Sequence, residues 1–134
     1  MDAEIREMIR QRADDCCEYC RLRQEDVPFA RFQIEHIRAR QHRGTSESSN
    51  LALACERCNA FKGPNLAGVD PQSGEICRLF NPREQSWDEH FEAQGPLIVG
   101  RTDVGRATVE VLNMNEPRRV QLRQELLKLE PPDD

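Results

Sequence analysis

The sequence predicts an α+β fold, a small core of short strands pinned by clustered cysteines and flanked by helices toward both ends. Three observations carry this. Two Cys-x-x-Cys pairs, Cys17/Cys20 and Cys55/Cys58, bracket the middle of the chain. Short runs rich in β-branched, aromatic and aliphatic residues lie between them, and amphipathic helical patterns lie outside them. At 134 residues the chain has the size of one ordinary domain, with a core motif expected over about 17–64 and a C-terminal extension over about 65–130. With 32% charged residues and no apolar run near the ~20 needed to span a bilayer, a membrane protein is excluded. The N-terminus is charged from Asp2 onward, which argues against a secretory signal and for a cytoplasmic location.

In chain order, Ile5, Met8 and Ile9 recur at helical spacing and predict a helix over 3–13. Residues 27–37, with Phe29, Phe32 and Ile34, read as a strand ending near Glu35-His36-Ile37. A polar, Arg-rich loop follows over 38–49, with Gly44 and Ser46 to Ser49 as turn signals. Asn50 to Ala54 forms a second short strand or its remnant. Cys55 to Lys62 suits a helix, which Gly63-Pro64 stops. The turn-rich stretch 64–86 is expected to wrap the surface. Residues 87–93 suit a short helix or a strand, and Leu97-Ile98-Val99 a strand. Val104, Ala107, Val111 and Leu112 predict a helix capped by Thr102 or Asp103, with a strand as the alternative. Pro117 opens a last amphipathic helix to about 129, and the tail 130–134 is expected to fray.

Six cysteines in a chain without an export signal favour metal binding over disulfides. Two residues between thiols let both sulfurs of a knuckle face one ion, and two such pairs complete a tetrahedron. Cys17, Cys20, Cys55 and Cys58 are therefore the candidate ligands of a structural Zn²⁺. An all-thiolate site leaves no open position for water, so its role is to fold the chain. Cys16 and Cys77 match no pattern and read as ordinary thiols. The 34 residues between the pairs exceed the spacing of a simple zinc ribbon, so something is inserted between the halves.

That insertion carries Glu35-His36, then Asn50-Leu51, and the second pair opens Cys58-Asn59 with Lys62-Gly63 behind it. In this order and at these separations the segment 17–64 resembles the HNH endonuclease family, in the subgroup with a four-cysteine zinc site. The resemblance implies a ββα-metal core. It implies His36 as general base, a role suited to an imidazole of ordinary pKa near ~6.5. It further implies Glu35 and Asn59 as protein ligands of one catalytic divalent ion, Mg²⁺ or Mn²⁺, and Asn50 as the catalytic-loop residue that orients the histidine. In a regular strand Glu35 and His36 point to opposite faces, so local distortion is expected to bring them together. The sequence departs from the pattern in three places. Asn59 stands where the family name implies His. Glu35 replaces the commoner Asp, and Arg38 and Arg43-Gly44 replace a Pro and paired Gly after the histidine. Residues 78–115 look like the C-terminal extension of a bacterial HNH subgroup.

The charge pattern fits a nucleic-acid substrate locally rather than globally. The chain carries a net charge of −5. Residues 31–62 form its one basic segment, with Arg31, Arg38, Arg40, Arg43, Arg57 and Lys62 against Glu35, Glu47 and Glu56. Arg38, Arg40, His42, Arg43 and Lys62 are the candidate phosphate contacts, with duplex DNA as the expected substrate. The acidic flanks suggest weak affinity alone and hence a recruiting protein partner. Oligomeric state and RNA as substrate are left open. Two other classes compete: a zinc-stapled nucleic-acid or protein-binding module without catalysis, and a thiol-redox protein, which needs only one cysteine pair.

Overall fold

The computed structural model describes residues 2–130, so the tail expected to fray lies, from 131 on, outside the described residues. Helix α1 (Ala3–Arg12) begins where the Asp2 carboxylate accepts the Ile5 N–H at 2.9 Å, and it buries Ile9 in the core. Strands β1 (Gln33–His36) and β2 (Leu51–Ala54) pair antiparallel, with Glu35 opposite Ala52 and His36 opposite Leu51. Helix α2 (Glu56–Lys62) follows β2 directly, giving a ββα unit. All four residues of β2 are buried, with β1 paired along it and α1 and α2 packed against it.

The first strand is shorter than the sequence reading of 27–37. Gln24–Asp26 forms a 3₁₀ turn, and the Gln24 side chain then serves the backbone that would have joined the ladder. Its Nε2 donates to the carbonyls of Val27 (3.2 Å) and Ala30 (3.0 Å), and its Oε1 accepts from the Phe32 N–H (2.7 Å). Local side-chain bonds thus displace the strand up to Gln33.

The stretch 64–86 is more ordered than a surface wrap. It contains a hairpin of β3 (Ala67–Val69) and β4 (Ile76–Arg78) whose turn is built around Asp70. The buried Asp70 carboxylate accepts from the Gln72 N–H, from the Ser73 hydroxyl and from two nitrogens of Arg106 at 2.8 and 2.9 Å. Residues 87–93 resolve into both expected forms, a single helical turn α3 (Trp87–His90) running into β5 (Phe91–Gln94). β5 pairs with β6 (Leu97–Gly100). Helix α4 (Asp103–Val111), capped by the Thr102 hydroxyl, packs on β6 and on the β3–β4 hairpin. Helix α5 (Pro117–Leu129) closes the described chain.

The extension is locked to the first cysteine knuckle. Trp87 Nε1 donates to the Tyr19 carbonyl at 2.7 Å, and the Arg21 guanidinium lies 5.1 Å from the Trp87 ring centre. Phe80 meets Tyr19 and Phe91 edge-on. The buried Phe91 and Ile98 thereby join one core with Ile9, Phe32 and Leu53.

Candidate functional site

The four sulfurs of Cys17, Cys20, Cys55 and Cys58 lie within 4.8 Å of one another and all four residues are buried. The Cys20 and Cys55 sulfurs are 3.7 Å apart. A tetrahedron with ~2.3 Å metal–sulfur bonds has edges of about 3.8 Å, so the donor set fits Zn²⁺ in type and size. Each pair forms a knuckle in which the second cysteine's N–H donates to the first cysteine's sulfur, at 3.5 Å for Cys20 to Cys17 and 3.4 Å for Cys58 to Cys55. The tight first turn places Arg21 in the left-handed region (φ 69°). Cys16 and Cys77 stand apart, each donating weakly to a backbone carbonyl. Burial pushes both thiols up, which keeps them protonated and poorly nucleophilic.

A buried arginine completes this centre. Arg119 of α5 donates to Cys58 Sγ at 2.9 Å, with the Cys55 sulfur at 3.9 Å, and its other terminal nitrogen donates to the Leu112 (2.7 Å) and Asn113 (3.2 Å) carbonyls. Four thiolates around Zn²⁺ carry two surplus negative charges, and one guanidinium offsets half of them. Sequence reasoning missed this residue, because an arginine on an amphipathic helix reads as solvated.

The second site lies at the junction of β1 and α2. Glu35, His36 and Asn59 line one shallow cleft of about 330 Å³, with Arg40 at its rim. His36 Nε2 shares a hydrogen bond with the Ser46 hydroxyl at 3.0 Å, and Arg40 donates to the same oxygen at 3.3 Å. Burial, together with the charges of Arg40 and Lys62, lowers the His36 pKa below the ordinary imidazole value. The ring is therefore neutral, and able to accept a proton, at neutral pH.

Asn50 clasps the intervening loop. Its Oδ1 accepts the Arg38 N–H (2.8 Å), and its Nδ2 donates to the carbonyls of Arg38 (3.0 Å) and Thr45 (2.7 Å). Its own carbonyl accepts the Ile37 N–H at 2.8 Å. The loop turns so tightly that a Cβ on Gly44 would sit 1.7 Å from the Arg38 carbonyl oxygen. Arg12, from α1, donates to the Ser48 and Leu51 carbonyls and fixes the far end of the loop.

Glu35 and Lys62 are placed differently from the sequence expectation. β1 keeps regular pairing through His36, so Glu35 points inward, 5% exposed, with no local distortion. Its carboxylate accepts from the Tyr19 hydroxyl and from the Lys62 ammonium at 3.1 Å. Burial pushes the Glu35 carboxyl up, and Lys62 and Tyr19 pull it back. Lys62 was expected as a phosphate contact but is 2% exposed, its ammonium donating to Glu35 and to the His36 and Ile37 carbonyls. A lysine so enclosed cannot reach a phosphate in solvent. Its place just before the Gly63-Pro64 helix stop gave no sign of this. Arg38, Arg40 and Arg43 are exposed and His42 half-buried, all on the loop beside the cleft.

A carboxylate offers about four acceptor sites. Tyr19 and Lys62 take two of those on Glu35, and Asn59 is seen to use only its amide nitrogen, which donates to Gln33. Oxygen donors of the kind that suits Mg²⁺ or Mn²⁺ are thus present, but the Glu35 carboxylate is turned inward, and placing it at the cleft beside Asn59 would require it to turn away from Lys62.

A ββα unit whose helix and preceding turn carry a four-cysteine centre defines a small metal-stapled α+β domain. The HNH endonuclease family model matches residues 17–64, the segment holding both knuckles, both strands and α2. Such a segment points to nuclease chemistry on a nucleic acid. No curated protein and no solved structure matches the chain. No helix among the described residues is long and apolar enough to cross a membrane.

Proposed function

We propose that the chain is a metal-dependent endonuclease that hydrolyses phosphodiester bonds in duplex DNA. The observation that carries this reading is the shared cleft of Glu35, His36 and Asn59 inside the HNH-matched segment. His36, held neutral and tethered to Ser46, accepts a proton from a water as that water's oxygen attacks phosphorus. The bond from phosphorus to the departing sugar oxygen breaks, and that oxygen takes a proton from solvent. Asn50 keeps the loop, and with it the histidine, in place. Arg40 at the rim, with Arg38 and Arg43 nearby, supplies guanidinium donors for phosphate oxygens. Glu35 and Asn59 would hold one divalent ion, which, when bound, stabilises charge on the phosphate and the leaving oxygen. Holding that ion would require the Glu35 carboxylate to turn away from its buried pairing with Lys62. Phosphate contacts carry no sequence information, so specificity lies elsewhere.

The exposed arginines near the cleft disfavour a pure protein-binding module, and four buried clustered thiolates disfavour a redox dithiol. The test is nicking of supercoiled plasmid by zinc-loaded protein, with and without added Mg²⁺ or Mn²⁺, beside His36→Ala at equal zinc content. The reading expects ion-dependent nicking that the variant loses. Equal nicking by both proteins would overturn the assignment of His36, and no nicking by either would favour the non-catalytic module.

A further inference from the structure

Beside the cleft lies a second, unassigned basic surface. Arg6 and Arg10 stand one helical turn apart on α1, and Arg31 precedes β1. Together with Phe32, Gln33 and Ile34 they line a depression of about 330 Å³. Ile34 also lines the His36 cleft, and Gln33 accepts from Asn59, so the depression and the cleft are neighbours along one strand. None of the ion pairs among the described residues includes Arg6, Arg10 or Arg31. Arg10 is pinned by its donation to the Phe32 carbonyl at 2.9 Å, while its Nε is buried without a partner. Arg31 and Arg6 raise the positive field at Arg10, which, after burial, lowers its pKa, and the nearby Asp15 and Glu7 temper that field without pairing with it.

Three guanidinium groups lining one depression without an ion-paired carboxylate, in a chain of net charge −5, need a physical reason. Bringing like charges together is unfavourable unless a polyanion joins them, and guanidinium is the side chain best shaped for phosphate. We infer that Arg6, Arg10 and Arg31 form a phosphate-contact site that grips the nucleic-acid backbone beside the scissile bond. This inference rests on the nuclease reading, and it gives α1 a role in substrate binding. The loop arginines would then hold the backbone from the other side of His36. An acidic protein segment is the competing occupant. The DNA backbone is favoured because Ile34 lines both the depression and the cleft and Gln33 bonds the cleft residue Asn59.

The test is fluorescence anisotropy of a labelled ~30-base-pair duplex across a salt series, without added divalent ion. Wild type is compared with Arg6→Gln/Arg31→Gln and with a charge-matched control, Arg101→Gln/Arg118→Gln. All four positions are exposed, and Arg10 is left to hold Phe32. Each lost phosphate contact lowers the slope of log K against log salt by about 0.9, so the first double variant should lose about 1.8 and the control almost nothing. Its cleavage should show a raised KM with kcat kept, and its melting temperature and zinc content should match wild type. Slopes that are unchanged, or lowered equally in both double variants, would overturn the site while leaving the nuclease reading intact. A wild type that neither binds nor cuts the duplex would overturn both.

Discussion

Replacing Arg119 by Met tests whether the C-terminal helix is part of the metal centre. The side chain is 7% exposed, and its donors reach one cysteine sulfur at 2.9 Å and two backbone carbonyls at 2.7 and 3.2 Å. A hydrogen bond to a charged group contributes about 1.5–3 kcal/mol. Loss of an outer-shell partner typically weakens metal affinity by about 10–100-fold, equivalent to about 1.4–2.7 kcal/mol. Methionine fills the volume but supplies no donor, so the sulfur and both carbonyls lose their partner at once. Zinc affinity should fall by about 10–100-fold in competition against a chromogenic chelator, and the melting temperature should fall by roughly 5 °C or more. Arg119→Lys should recover only part of this, because one ammonium cannot reproduce the fork that spans the sulfur and the carbonyls. If Arg119→Met holds zinc as tightly as wild type and melts at the same temperature, the coupling between α5 and the cysteine centre is refuted.

Three further outcomes follow from the geometry. Lys62→Met leaves the Glu35 carboxylate buried without its cation and should destabilise the fold by about 3–5 kcal/mol in urea unfolding; a change under 1 kcal/mol would contradict the buried pair. The Arg106 guanidinium holds the Asp70 carboxyl well below the usual carboxylate range, so its contribution is complete above about pH 5 and is lost as pH falls through the acid range. Asp70→Asn should lower the melting temperature at pH 7 and flatten its fall below about pH 4; parallel profiles would refute the pairing. Gly44→Ala forces the loop away from the Arg38 carbonyl and should cut cleavage at least tenfold with zinc content unchanged; full activity would refute the need for this loop geometry.

What the sequence revealed was set by local rules. Cysteine spacing located the four-cysteine cluster, because local geometry sets the two sulfurs of each knuckle on one side. The apolar periodicity located α1, and with the Thr102 cap α4, within a residue or two. The site residues Glu35, His36 and Asn59 gather at one cleft, although their order alone could not tell which way Glu35 points. Its inward orientation depends on Tyr19, sixteen residues away, and on Lys62, twenty-seven away. The shortened first strand depends on a single glutamine side chain competing for backbone groups. Arg119 and the α1 arginines were illegible for the same reason. An arginine meant for a thiolate or a phosphate looks, in sequence, like one meant for water.

The central claim is that His36 is the proton acceptor in phosphodiester cleavage. Chemical rescue tests it most directly: single-turnover cutting of a labelled duplex by zinc-loaded His36→Gly, with added Mg²⁺ or Mn²⁺ and increasing imidazole. The account predicts loss of cleavage in the variant and its return, saturably, as imidazole fills the vacated space. A variant that cuts as fast as wild type without imidazole would contradict it.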